Sequence, residues 1–214
     1  MKFTFSIRAA LHKSWDLYVK HILFFIGLAF IMVLFSIFSN YHHSHSTPDV
    51  LLTIIVVIAT ILWTYVWIHA ALAAVDGKEE LLNFRSIAAH MPTARQFFGL
   101  VVVGVLVGII VGVGFILLII PGVYFLTRLA FANTAYVDRQ QGIRKSLRYS
   151  WKLVTGKVFW TAFLVLIMEV GLMILGALPA MLGMLITYPI GILLMTRLYR
   201  DLSTYHAQLD SAVE

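Results

Sequence analysis

Residues 97–122 read FFGLVVVGVLVGIIVGVGFILLIIPG, an uncharged run closed by Pro121-Gly122. As a helix rising about 1.5 Å per residue, the stretch before the proline reaches roughly 36 Å, enough to cross a hydrocarbon core of about 30 Å. Within lipid the backbone must satisfy its own hydrogen bonds, so this run has to be helical. Proline lacks an N–H and glycine permits a turn, so the chain is expected to break at Pro121-Gly122.

Working outward, similar runs lie on both sides. One covers about 22–38, with no lysine, arginine or acidic residue between Lys20 and Asp49, and another covers about 50–75, with His69 its only imidazole. Beyond Pro121 follow a short run at about 123–137 that carries Arg128, one at about 158–175 that carries Glu169, and one at about 181–198 that contains Pro189 and ends in Arg197. The whole chain of 214 residues is 61% hydrophobic and 12% charged, against roughly 45–50% and about 25% in soluble proteins. These runs predict an all-α polytopic membrane protein, one integral membrane domain over 1–214 with six transmembrane helices. Cysteine is absent, which removes disulfides, thiolate chemistry and Cys-ligated metal centres.

The cations test the count of crossings, because short cytoplasmic loops collect lysine and arginine. Of the 16, all but Arg128 fall before the first run, between the second and third, between the fourth and fifth, or at the end of the sixth. The opposite connections, 39–49, 120–122 and 176–180, hold none. Both termini and the 138–157 segment are therefore expected in the cytoplasm. A cleaved signal peptide fits poorly, since the first run starts some 20 residues in, with no small-residue cleavage site before the next polar stretch.

An internal repeat accompanies this pattern. SIRAALHKSWDL at 6–17 and GIRKSLRYSWKL at 142–153 agree at six of twelve positions, among them Arg8/Arg144, Ser14/Ser150 and Trp15/Trp151. A fainter copy lies at 84–98. The even runs also echo one another, Thr127-Arg128-Leu129 with Thr196-Arg197-Leu198 and Ala73-Ala74-Val75-Asp76 with Ala135-Tyr136-Val137-Asp138. Three helical hairpins, each prefaced by an amphipathic interfacial helix at about 5–18, 80–95 and 140–155, make the simplest architecture. In the last of these, Ile143, Leu147, Trp151 and Val154 form one helical face, and Arg144, Lys145, Arg148 and Lys152 take the other. Such a helix lies in the headgroup plane with tryptophan at the interface and cations toward anionic lipid. Plain topology-setting charge, headgroup contact and docking of an acidic partner all remain open readings of these cations.

The stretch Ile119-Ile120-Pro121-Gly122-Val123-Tyr124, with Arg128-Leu129-Ala130, Val137-Asp138, Gly142-Ile143 and Ser146 through Leu153, resembles the signature of the YciC-like bacterial membrane family. That family is related to the membrane domain fused to some glycerophosphoryl diester phosphodiesterases. The resemblance covers about Gly99 to Arg200 and is looser before that. It implies a six-helix protein of the bacterial inner membrane and brings no catalytic residue, since the phosphodiesterase chemistry of the fused proteins belongs to a separate soluble domain.

Several residues are candidates for a role. Arg128 and Glu169 are the cation and carboxylate well inside the runs, and buried ionisable groups in lipid are costly enough to suggest one. Counted from their cytoplasmic ends they sit at matching depth, which predicts an intramembrane ion pair; a proton or substrate site and a snorkelling arginine are the alternatives. Gly104, Gly108 and Gly112 place small residues on one helix face at spacing four, the pattern of close helix packing, whether within the bundle, at a homodimer seam or beside a lipid-filled groove. Pro121, Gly122 and Pro189 are expected helix breaks. His42, His43 and His45 near Asp49 concentrate imidazoles, which elsewhere bind zinc, copper or nickel, yet the tract reads as a polar loop, and no metal or cofactor is expected. His69 reads as a structural donor or a proton relay.

No G-x-S-x-G, H-E-x-x-H, Walker loop or paired Asp cluster appears, so no enzyme is expected. The reading is a non-catalytic membrane protein that organises lipid, chiefly anionic headgroups, or supports a protein assembly, with a membrane-protein partner or a second copy and no nucleic acid. The alternative is a transporter or channel for lipid or another small solute, since broken helices and repeats are common in transporters.

Overall fold

The computed structural model describes residues 5–45, 50–177 and 183–211, with side chains at all of these except 32, 35–45 and 52. The described chain is helical with no strand. Ser6 accepts from the Ala9 amide and opens α1 (Ile7–Lys20), and a bend of 87° then leads into α2 (Ile22–His45). α3 (Val50–Val75) is followed by a 3-10 turn (Glu79–Leu81) and by the short α4 (Phe84–Ala89), capped by Asn83. α5 (Ala94–Leu117) starts with a capping box in which Thr93 and Gln96 satisfy each other's backbone amides. Then come α6 (Ile119–Leu129), α7 (Ala132–Arg139), α8 (Ile143–Leu153), α9 (Val158–Ala177) and α10 (Met184–Ser211).

Among the described residues, Thr53–Val75, Ala94–Leu117 and Val158–Ala177 are long and apolar enough to cross a membrane. The bent pair of α1 with the first part of α2 makes a fourth if it is one span. α6, with 11 residues, rises only about 16 Å, roughly half of a hydrocarbon core.

Four expectations need correction. The turn after the 97–120 run falls at Leu118, whose φ of −166° and ψ of 157° are extended. Pro121 stands in the first turn of α6, where its missing N–H would have had no intrahelical acceptor anyway. The run expected at 123–137 is two helices, α6 and α7, divided at residues 130–131. Pro189 does not break α10. Proline there leaves the Leu185 carbonyl without its helical donor, and the Tyr18 hydroxyl of α1 donates to that carbonyl at 3.4 Å. Finally, α2 stays helical through His45, so His42, His43 and His45 are on a helix rather than in a loop; their side chains, and Asp49, lie outside the described residues.

α5 packs along α6 and α9 along α10, while α10 also touches α1, α2 and α3. The packed interior is concentrated at one end. On α3, Val50, Leu51, Ile54 and Ile55 are exposed, whereas Tyr65 to Ile68 and Ala70 to Ala74 are buried. There α3 and α10 form the centre. Trp67, fully buried, packs on Phe25 and Tyr188, and Leu194, Leu198 and Leu202 meet Phe131, Leu153 and Val165. The other end presents Ile116 to Ile120, all well exposed, as apolar surface.

Candidate functional site

The buried end is where the amphipathic helices attach, and two arginines hold them. Arg128, at the end of α6, donates from Nη1 to the Trp151 carbonyl of α8 at 3.0 Å, and from Nε and Nη2 to the Tyr124 hydroxyl at 3.1 and 2.8 Å. The Trp151 carbonyl belongs to the last turn of α8, where acceptors lack helical donors, so the guanidinium caps that helix. Its plane also lies against the Tyr124 and Trp151 rings, with centroids 5.1 and 4.9 Å away. Ser150 returns a bond from Oγ to the Arg128 carbonyl at 2.9 Å. Arg197 of α10 likewise reaches a backbone carbonyl of α1, donating from Nη2 to Lys13 at 3.1 Å, though in the middle of that helix rather than at its end. The two arginines are those of the repeated Thr-Arg-Leu, and both acceptors lie within two residues of the repeated Ser-Trp.

A second polar cluster binds the helix ends together. Arg200 donates to both oxygens of Asp76 at 2.7 Å and from Nη1 to Asp138 at 2.9 Å, and the Tyr199 hydroxyl donates to the same Asp138 carboxylate at 2.7 Å. Burial by itself would depress the Arg200 guanidinium, but the bonds to Asp76 and Asp138 outweigh it and hold the group above its ordinary value. Beside it Arg139 lies over the Tyr149 ring at 3.8 Å and donates to the Tyr149 and Ser203 hydroxyls at 2.7 and 3.1 Å. α3, α7, α8 and α10 are thereby joined at one point. Sequence reading singled out none of these residues as a site. The signal was present in the two Val-Asp endings at 75–76 and 137–138, whose aspartates meet on one arginine.

Arg128 and Glu169 are not brought together. The depth count assumed a continuous helix over 123–137; because the chain breaks after α6, Arg128 stands at a helix end beside α8. Glu169 faces α10 instead, its Cγ 3.3 Å from where a Cβ on Gly191 would be, and it has no hydrogen-bond or ion-pair partner among the described residues.

On α8, Arg144, Lys145 and Arg148 are exposed. Lys152 is engaged, with Nζ 2.9 Å from the Asp210 carboxylate, and this bond keeps Asp210 below the usual carboxylate range. Trp151 is 37% exposed and otherwise packs on Tyr124 and Phe125. A Cβ on Gly104, Gly108 or Gly112 would meet nothing within 4 Å, so this stripe does not serve packing inside the chain. Close approaches lie instead at Gly27 against Phe84, Gly99 against Tyr136, Gly114 and Gly122 where α5 meets α6, and Gly176 against Thr187. His69 stacks between Tyr65 and His90, at 6.0 and 5.6 Å between centroids. No group of three or more metal-ligating side chains gathers among the described residues. No family profile, curated protein or solved structure matches the chain.

Proposed function

We propose that the chain is a non-catalytic protein of the bacterial inner membrane whose basic interfacial helices organise anionic lipid on the cytoplasmic face or support a membrane-protein assembly there. The six crossings of this reading are α2, α3, α5, α6 with α7, α9 and α10, and both termini are cytoplasmic. YciC-like membership and a threefold repeat of interfacial helix plus hairpin belong to the same reading. The observation that carries it is the pair of arginine clamps. Arg128 and Arg197 fix α8 and α1 by their backbones, while Arg144, Lys145 and Arg148 stay exposed. A helix held by its carbonyls keeps its cations free for phosphate, each worth about 1 kcal/mol near an anionic surface.

The test is to extract the protein with its surrounding lipid in polymer nanodiscs and compare its lipids with those of the bulk membrane. Enrichment of anionic phospholipid is expected, and its loss when Arg144, Lys145 and Arg148 are all changed to Gln. Equal composition in both variants would refute lipid organisation. The transporter reading is favoured by one observation, the uncompensated Glu169 carboxylate against Gly191 of α10. Saturable flux in proteoliposomes that is abolished by Glu169→Gln would put it first.

A further inference from the structure

We propose that the groove between α1, α9 and α10 holds one anionic phospholipid, with its phosphate on Arg8 and one acyl chain running down between the other two helices. This rests on the lipid-organising reading above and names a discrete site for it. The groove encloses about 460 Å³. Arg8, His12 and Trp15, spaced four and three apart on one face of α1, form its rim, and Leu172, Ile186 and Ile190 line its depth.

The vertical placement fits a lipid. The bonds from Arg197 to the Lys13 carbonyl and from Tyr18 to the Leu185 carbonyl lay α1 along α10, with Lys13 at the level of Arg197. Along α10, Ile190 and Ile186 then lie about 10 and 16 Å below that level, the depth of one leaflet's hydrocarbon, roughly half of 30 Å. Ile186 is 42% exposed, so the groove opens sideways to lipid, and Trp15, 48% exposed, stands at its mouth as interfacial tryptophans do.

The charge complementarity falls on one residue. His12 is engaged by Asp16 at 3.0 Å, whereas exposed Arg8 has no hydrogen-bond or ion-pair partner among the described residues. A guanidinium free at the top of an apolar groove suits a phosphodiester with a tail beneath it. The sequence repeat places Arg144 and Trp151 at the corresponding positions of α8, but there Trp151 packs on Tyr124, Phe125 and Arg128. Those rings cover the Trp151 side of α8, so the groove beside α1 is the site proposed.

Titration of the purified full-length protein in detergent with phosphatidylglycerol or phosphatidylcholine, read by native mass spectrometry, tests this. One phosphatidylglycerol per chain is expected to bind in clear preference to phosphatidylcholine. Arg8→Gln should weaken phosphatidylglycerol about fivefold and leave phosphatidylcholine unchanged, and Arg8→Lys should restore most of the difference. Leu172→Trp with Ile186→Trp, which fills the groove, should weaken both lipids about tenfold or more; unaltered thermal unfolding shows that these variants are folded. A phosphatidylglycerol preference that survives the Arg8 and groove variants but vanishes in the triple Gln variant of α8 would overturn the groove and leave the proposed function standing. A wild type that binds the two lipids equally would overturn both.

Discussion

Arg200 answers two carboxylates with one guanidinium and so joins the C-terminal ends of α3 and α7 to the middle of α10. Arg200→Gln takes the guanidinium from Asp76 and Asp138, leaving Asp138 the Tyr199 hydroxyl and Asp76 the Lys78 ammonium at 3.9 Å. Removing one member of a fully buried pair costs about 3–5 kcal/mol, and the partial exposure and remaining partners here bring this to roughly 1–3 kcal/mol. Thermal unfolding in detergent should show that loss, and adding Asp76→Asn to Arg200→Gln should cost clearly less than the sum of the single changes. The reverse holds for Arg128 and Glu169. Because they do not touch, the Gln variants of the two should add within about 0.5 kcal/mol; a double variant more stable than that sum would show that they pair after all. The sequence gives the cost of each charge in lipid but not its neighbour, which depended on a helix break at 130–131 that no proline or glycine marks.

At the scale of elements, glycines and prolines act where the chains approach rather than where the spacing is most regular. Gly104, Gly108 and Gly112 repeat every fourth residue and face open space, while Gly99 has no such repeat and lies against the Tyr136 hydroxyl. Gly99→Ala should therefore destabilise by about 1–3 kcal/mol, and Gly108→Ala should be neutral or slightly stabilising, both read as shifts in melting temperature. A loss at Gly108 equal to that at Gly99 would mean that a second copy of the chain sits on the stripe. Pro189 was legible as a helix break, but not the donor that lets the helix continue, since Tyr18 lies 167 residues from the Leu185 carbonyl it answers. Tyr18→Phe removes this long, part-buried bond and should cost about 0.5–1.5 kcal/mol. The amphipathic helices were legible in outline, because Ile143, Leu147 and Trp151 keep helical spacing. That their cations divide into free ones and Lys152, bound to Asp210 of α10, was not.

For the whole molecule, composition and the uncharged runs were sufficient for an all-helical chain with helices apolar enough to cross a membrane, since runs of about 20 apolar residues are twice the length of a barrel strand and satisfy their backbone in lipid as helix. They did not reveal that packing gathers at the end where the basic helices attach. Uniformly apolar helices such as α3 and α5 carry no periodic stripe to say which half is buried, and lipid itself supplies little drive for apolar faces to meet. The six-crossing arrangement with that end in the cytoplasm is tested most directly by thiol labelling, for which a chain without cysteine needs no background removed. Ser146 is buried at 2% exposure, so the exposed neighbour Lys145 is the position to probe, together with Ser44, which this arrangement puts on the opposite side, and Gln208 near the C-terminus. In intact cells an impermeant maleimide should label Ser44→Cys and spare Lys145→Cys and Gln208→Cys, all three reacting once the membrane is opened. Labelling of Lys145→Cys or Gln208→Cys in intact cells, with Ser44→Cys protected, would contradict the arrangement.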